Sequence, residues 1–210
     1  MRRKTLLRTV LTSALTFSLP ILVLTPMVGC GTGVAKHDKL TATYVACDQA
    51  WADLEAQYQR RADLLPQAVK IVKARAGSEK EILTGIVEAR AKATSITIDA
   101  KALENPETMA KYQANQTQVA QSFGRLMEIH EKYPELKSDE GFQNLMTQLE
   151  GTENRILIAR KKYNQAVADY NYEVLNSGGK VFNAITGEMF AARVSFKAQA
   201  GADAAPDLDL

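Results

Sequence analysis

Apolar and aromatic side chains recur at three- and four-residue intervals along most of this chain, and that spacing predicts helices. From residue 44 the stripe runs Tyr44, Cys47, Trp51, Leu54, Tyr58, Leu65, Val69 and Val72, with Ala62 filling its gap, as in one long amphipathic helix. Gly77 is a natural stop, and Ser78 with Glu81 has the spacing of a capping box opening a second helix through Ile82, Ile86, Ala89 and Ala93. Asn105-Pro106 supplies a cap and first residue for a third helix carrying Met109, Tyr112, Val119, Phe123, Leu126 and Ile129. Tyr133-Pro134 ends it, because a proline excludes its predecessor from helical geometry. A last helix opens at the acidic pair Asp139-Glu140 and bears the most regular stripe, Phe142, Leu145, Leu149, Ile156, Ala159, Tyr163, Val167, Tyr170 and Val174, close to a heptad. Ser177-Gly178-Gly179 is expected to stop it. No strand pattern is present, so the expected fold is all-α, an elongated antiparallel four-helix bundle.

The first residues follow a different pattern. Arg2, Arg3, Lys4 and Arg8 form a basic leader, residues 9–29 are uncharged, and small residues close the run at Gly29 and Cys30, as in an export signal. Met27-Val28-Gly29-Cys30 resembles a bacterial lipobox, whose cysteine becomes the first mature residue and carries acyl chains. Several acyl chains anchor a protein without a transmembrane helix. The competing expectation is an uncleaved membrane helix over residues 9–29, a sufficient length, although Pro20 and Pro26 interrupt it. The expected organisation is therefore a lipoprotein signal peptide (1–29), a lipidated Cys30 with a flexible spacer (30–39), a helical domain (40–198) and a disordered tail rich in Ala, Asp and Gly (199–210).

Charge narrows the partners. The whole chain carries 26 Lys and Arg against 24 Asp and Glu, and four of the basic residues lie in the leader, which leaves 22 against 24 afterwards. That balance gives nucleic-acid binding no support. With Cys30 acylated, Cys47 is the one remaining thiol and no intrachain disulfide can form; its position on the stripe marks it as a small buried residue. The two histidines, His37 and His130, have no His or Cys at metal-ligand spacing, so no metal or other cofactor is expected. His130 falls at a helix carboxyl terminus, where positive charge is favourable. Phosphate loops, nucleophile elbows and the repeated Glu-x-x-His pairs of di-iron bundles are absent from the sequence, so an enzyme is not expected.

Three segments carry a family resemblance. Trp51 with QRRADLLPQAVKIVK (59–73), EKYPELK (131–137) and QLEGTENRILIARKKYNQAVADYN (148–171) resemble the LemA family of bacterial membrane-associated helical proteins. The resemblance implies an antiparallel four-helix fold anchored in a membrane at its amino terminus, with no established catalytic activity. The chain departs from that pattern in having a lipobox where relatives keep a transmembrane helix, and Leu175-Asn176-Ser177 where they have Phe-Pro.

The polar residues within these motifs are the candidate site. Arg61 and Asp63, with Arg60, lie in the first helix, and Glu153, Asn154, Arg160 and Asn164, with Glu150, in the last. If the two helices pack antiparallel, such groups meet as charge-assisted hydrogen bonds that fix register, with Arg61–Glu153 the preferred pair. A ligand or partner site built from the same groups is the alternative. Tyr163 and Tyr170 are expected to turn their rings inward, with Asn164 and Asn171 accepting from their hydroxyls.

These readings converge on a membrane-anchored extracytoplasmic scaffold or interaction module whose partner is an envelope protein or a second copy. Gly31 in place of an acidic residue after Cys30 is compatible with the outer membrane as well as the cell membrane, with the domain facing the periplasm where there are two. One alternative is a small-ligand carrier or sensor opening at Tyr133-Pro134. Another is a membrane-remodelling protein using the apolar residues among Val181, Phe182, Ile185, Met189, Phe190, Val194 and Phe196, which are expected instead to dock on the helices.

Overall fold

The computed structural model describes residues 28–75, 79–187 and 190–197. The leader, the tail over 199–210, and the Gly77 stop and Ser78 cap lie outside the described residues, and of Cys30 only the backbone is described. The described residues are mostly helical and contain no strand. They form α1 (Val28–Arg75), α2 (Lys80–Thr94), a 3-10 turn (Ala102–Glu104), α3 (Pro106–Lys132), α4 (Pro134–Lys137), α5 (Glu140–Leu175) and α6 (Ser177–Thr186).

The two longest helices, α1 with 48 residues and α5 with 36, make the most extensive packing in the molecule. At 1.5 Å per residue they are about 72 and about 54 Å long. Lys36 meets Glu173, Arg61 meets Glu153 and Arg75 meets Asp139, so the numbering falls along α5 as it rises along α1 and the pair is antiparallel. Every member of the predicted α5 stripe is buried, together with Met146, Thr152 and Glu173. On α3, Asn105 caps the helix by accepting from the N–H groups of Glu107 and Thr108 at 2.9 and 3.0 Å, with Pro106 in the first turn.

Pro66 sits inside α1 and cannot donate to the carbonyl four residues earlier. Arg90 of α2 supplies the missing donor, since its Nε donates to Ala62 O at 2.7 Å. One side chain thereby repairs the ladder of α1 and fixes α2 beside it.

Three expectations need correction. Residues 30–39 continue α1 instead of forming a spacer, because Lys36 and Lys39 each reach Glu173 at 2.7 Å and Leu40 is fully buried. Glu79 stands at the amino-terminal cap position of α2 without a side-chain hydrogen bond to that helix, and its carboxylate accepts instead from Lys132 and Tyr133 at 2.7 and 2.8 Å. α5 stops at Leu175, directly before Ser177-Gly178-Gly179 as expected, but those residues go on to open α6, which the expected four-helix order lacks. Asn176 caps the new helix through Gly179 N at 2.8 Å, and a Cβ on Gly179 would lie 2.1 Å from Glu173 O, so glycine permits the chain to fold back on the end of α5. α6 ends at Gly187, whose φ of 69° favours glycine.

α2 is only 15 residues long and covers one half of α1. That half has an aliphatic core of Leu64, Leu65, Val72, Leu83, Ile86, Val119, Leu126, Leu136, Leu145 and Leu149, with Phe142 its one fully buried ring. In the other half residues 95–104 and 190–197 replace α2, and the core is aromatic, with Trp51, Tyr58, Tyr112, Tyr163, Tyr170 and Phe196.

Candidate functional site

Arg61 lies at the junction of the two cores and is 2% exposed. Its Nη1 donates to both Glu153 oxygens, at 2.9 and 3.2 Å, and its Nη2 donates to Gln116 O at 3.1 Å and Gln116 Oε1 at 2.6 Å. Its guanidinium also lies 5.2 Å from the centre of the Tyr58 ring. A buried guanidinium is costly unless its donors are met, and here α5 and α3 meet those of Nη1 and Nη2, while Nε has no hydrogen-bond partner. The Arg61–Glu153 pair preferred from the sequence is present, and Gln116 is its unanticipated third member. The signal was a gap, since position 116 falls on the α3 stripe between Tyr112 and Val119 and is polar.

Above this triad α3 and α5 barely touch, and they leave an open groove of about 610 Å³. Its floor is Arg61, Gln116 and Tyr58; Ala110, Gln113, Ala114 and Thr117 form the α3 wall, and Glu153, Ile156, Leu157 and Arg160 the α5 wall. Phe196 and Lys197 close one end, with the Arg160 guanidinium 5.3 Å from the Phe196 ring centre. Arg61, Arg160 and Lys197 face one carboxylate, Glu153, so the groove carries excess positive charge. Burial raises the Tyr58 hydroxyl pKa to about 12, and it stays protonated as a donor at neutral pH. Asp63 lies apart, half-exposed and accepting from Gln59 at 2.8 Å. Asn154 is exposed and does not line the groove.

Asn164 and Asn171 do a different job from the one expected. The Asn164 amide accepts from Phe196 N at 2.8 Å and donates to Phe196 O at 2.9 Å. Asn171 does the same with Arg193 N and O, both at 2.8 Å. Seven helical residues rise about 10.5 Å; three extended residues span about 10 Å. The spacing of the two asparagines therefore matches an extended segment laid antiparallel on α5. Tyr163 donates to Val194 O at 3.1 Å instead of to an asparagine, and Val194 N donates to Leu103 O at 2.8 Å. Tyr170 packs 5.8 Å from Tyr44, and the Arg193 guanidinium sits 4.1 Å over the Tyr44 ring and 2.6 Å from Asp48. Cys47 beside it is buried, and burial pushes its thiol pKa up. The Phe196 ring stacks 6.1 Å from Trp51 and meets Tyr163 edge-on at 5.6 Å.

Among the described residues no group of three or more His, Cys, Asp or Glu side chains could hold a metal ion. Among those residues, too, no helix is long and apolar enough to cross a membrane. His130, in the last turn of α3, packs its ring 5.6 Å from Phe142.

The LemA family model matches residues 50–209, more than half of the chain. Two curated relatives, magnetosome protein MamQ 1 and magnetosome protein MamQ 2 of Paramagnetospirillum magneticum, are each 40% identical over 53 residues. That match covers 25% of this chain and spans only 20% of either relative.

Proposed function

The chain belongs to the LemA family, and on that premise we propose that it is a membrane-anchored extracytoplasmic interaction module, a four-helix scaffold without chemistry of its own. Its anchor is an acylated Cys30, and its partner is an envelope protein that lays an acidic extended segment in the groove between α3 and α5. The observation that carries this reading is the groove itself. It is open along two helices, floored by a buried arginine and more positive than negative, and charge complementarity of that kind steers and orients a partner. The extended segment over residues 190–197 supports it, because α5 already holds that segment by its main chain at the groove's end. The short match to MamQ does not bring that protein's magnetosome association to this chain.

Photocrosslinking in living cells tests the partner. A benzoylphenylalanine at Ala114, on the groove wall, is expected to give an adduct of one defined mass with an envelope protein, lost on Arg160→Glu while the melting temperature is kept. Absence of an adduct, or the same adduct from exposed Glu128, contradicts it. Intact mass spectrometry of membrane-extracted protein beside a Cys30→Ser variant tests the anchor. A chain starting at Cys30 with added acyl mass is expected; an unprocessed Met1 chain in both overturns it.

A small ligand in the same groove is the second reading, because about 610 Å³ falls within the usual range for ligand pockets. It moves the opening away from Tyr133-Pro134, and a rise in melting temperature with a soluble organic anion distinguishes it.

A further inference from the structure

α6 divides the apolar residues of the carboxyl-terminal region between two faces. Phe182 turns toward the helices, with its ring 6.0 Å from His37 and 6.3 Å from Phe190. Val181 is 57% exposed and Ile185 78%. Both line a hollow between α6 and the first turns of α1, where Gly33, Lys36 and Gly178 complete the wall. Of the nine large apolar side chains exposed among the described residues, five (Val34, Tyr172, Leu175, Val181 and Ile185) belong to α6 or to the ends of α1 and α5 that meet it. Such concentration at one end marks a surface that something covers.

The position of this end identifies the occupant. Cys30, the acylation site of the reading above, lies in the first turn of α1 at this end, and Gly33 is only three residues further on, about 4.5 Å along the axis. An interfacial helix buries its apolar face about 5–10 Å into the headgroup boundary, so a hollow this close to the acylated residue lies within reach of that layer. Exposed Lys180 stands next to Val181, with a long stem able to place its charge among headgroups. α6 is also held firmly, since Lys36 donates to both Glu173 and Asn176, the residue that caps it.

We propose that Val181 and Ile185 of α6, with Val34 of α1, seat on a phospholipid surface and hold the long helices end-on to it. This rests on the anchored reading above. It adds a second contact that fixes orientation, so that the groove, at the level of Arg61, stands away from the bilayer. Arg61 lies about 40 Å along α1 from Gly33.

The full chain, reconstituted into phosphatidylcholine–phosphatidylglycerol vesicles containing brominated lipid, provides the test. Trp51 is buried and serves as an internal reference. In Ile185→Trp the added emission is expected to be largely lost to bromine quenching, whereas in Glu135→Trp, in α4 at the opposite end, it is expected to persist. Flotation with the vesicles but no quenching at position 185 overturns the seating and leaves the anchor standing. Equal quenching at both positions means a domain lying flat and overturns the end-on orientation. Failure to float overturns the anchor, and the seating with it.

Discussion

The two halves of this molecule solve the same packing problem with different chemistry. Around Leu65, Ile86, Leu126 and Leu149 the cores of α1, α2, α3 and α5 meet aliphatic face to aliphatic face, and the packed segments are helices whose backbones pair internally, apart from the break at Pro66 that Arg90 repairs. Around Trp51, Tyr112, Tyr163 and Phe196 one helix is missing, and non-helical segments fill its place. Those segments bring main-chain N–H and C=O groups that no helix pairs, and burying such groups unpaired is costly. The aromatic half therefore needs Asn164, Asn171 and the Tyr163 hydroxyl as partners. A half that relies on polar matching tolerates less substitution than one that relies on apolar volume, and the groove lies where the two halves join.

Removing the junction should have the largest effect. Arg61→Ala leaves Glu153 without its buried partner and is expected to lower stability by about 3–5 kcal/mol in urea unfolding. The double variant Arg61→Met with Glu153→Leu should recover most of that loss, since an apolar pair of similar volume leaves no orphaned charge. Next comes Leu126→Ala in the aliphatic half, at about 2–5 kcal/mol, with residues 190–197 still docked. Asn171→Leu is smaller, about 1–3 kcal/mol, and it alone should release residues 190–197, read as faster proteolysis there.

The smallest effect is one of pH. Lys36, and then Lys39, hydrogen-bond Glu173 and lower its pKa from 4.5 to about 2. A lowered carboxylate pKa stabilises the fold fully above about pH 4.5 and loses that contribution as pH falls toward 2. Wild type should therefore lose more stability than Glu173→Gln between pH 5 and pH 2.5. Salt should shrink the difference, because Lys39 is exposed.

Legibility in the sequence follows the same division. The α5 stripe, the Asn105-Pro106 start and the Tyr133-Pro134 stop were readable because each depends on local spacing or backbone geometry. Arg61 and Glu153 could be paired because antiparallel packing of two long stripes leaves few options. α6 was hidden because glycine signals both a stop and a close approach, and only the position of Glu173 O distinguishes them. The function of Asn164 and Asn171 was hidden for a related reason. Their seven-residue spacing was visible, but the extended segment they match lies more than twenty residues on and has no strand pattern. Arg193 gave a usable signal, as a single charge within an apolar run.

The central claim is that residues 190–197 are an integral part of the aromatic half and of no consequence to the aliphatic half. Hydrogen exchange compared between a chain ending at Lys197 and one ending at Thr186 tests it most directly. The shorter chain is expected to lose protection over residues 40–58, 98–112 and 156–174 while keeping it over 64–72, 83–93 and 119–149. Equal loss in both halves, or unchanged protection throughout, would contradict the account.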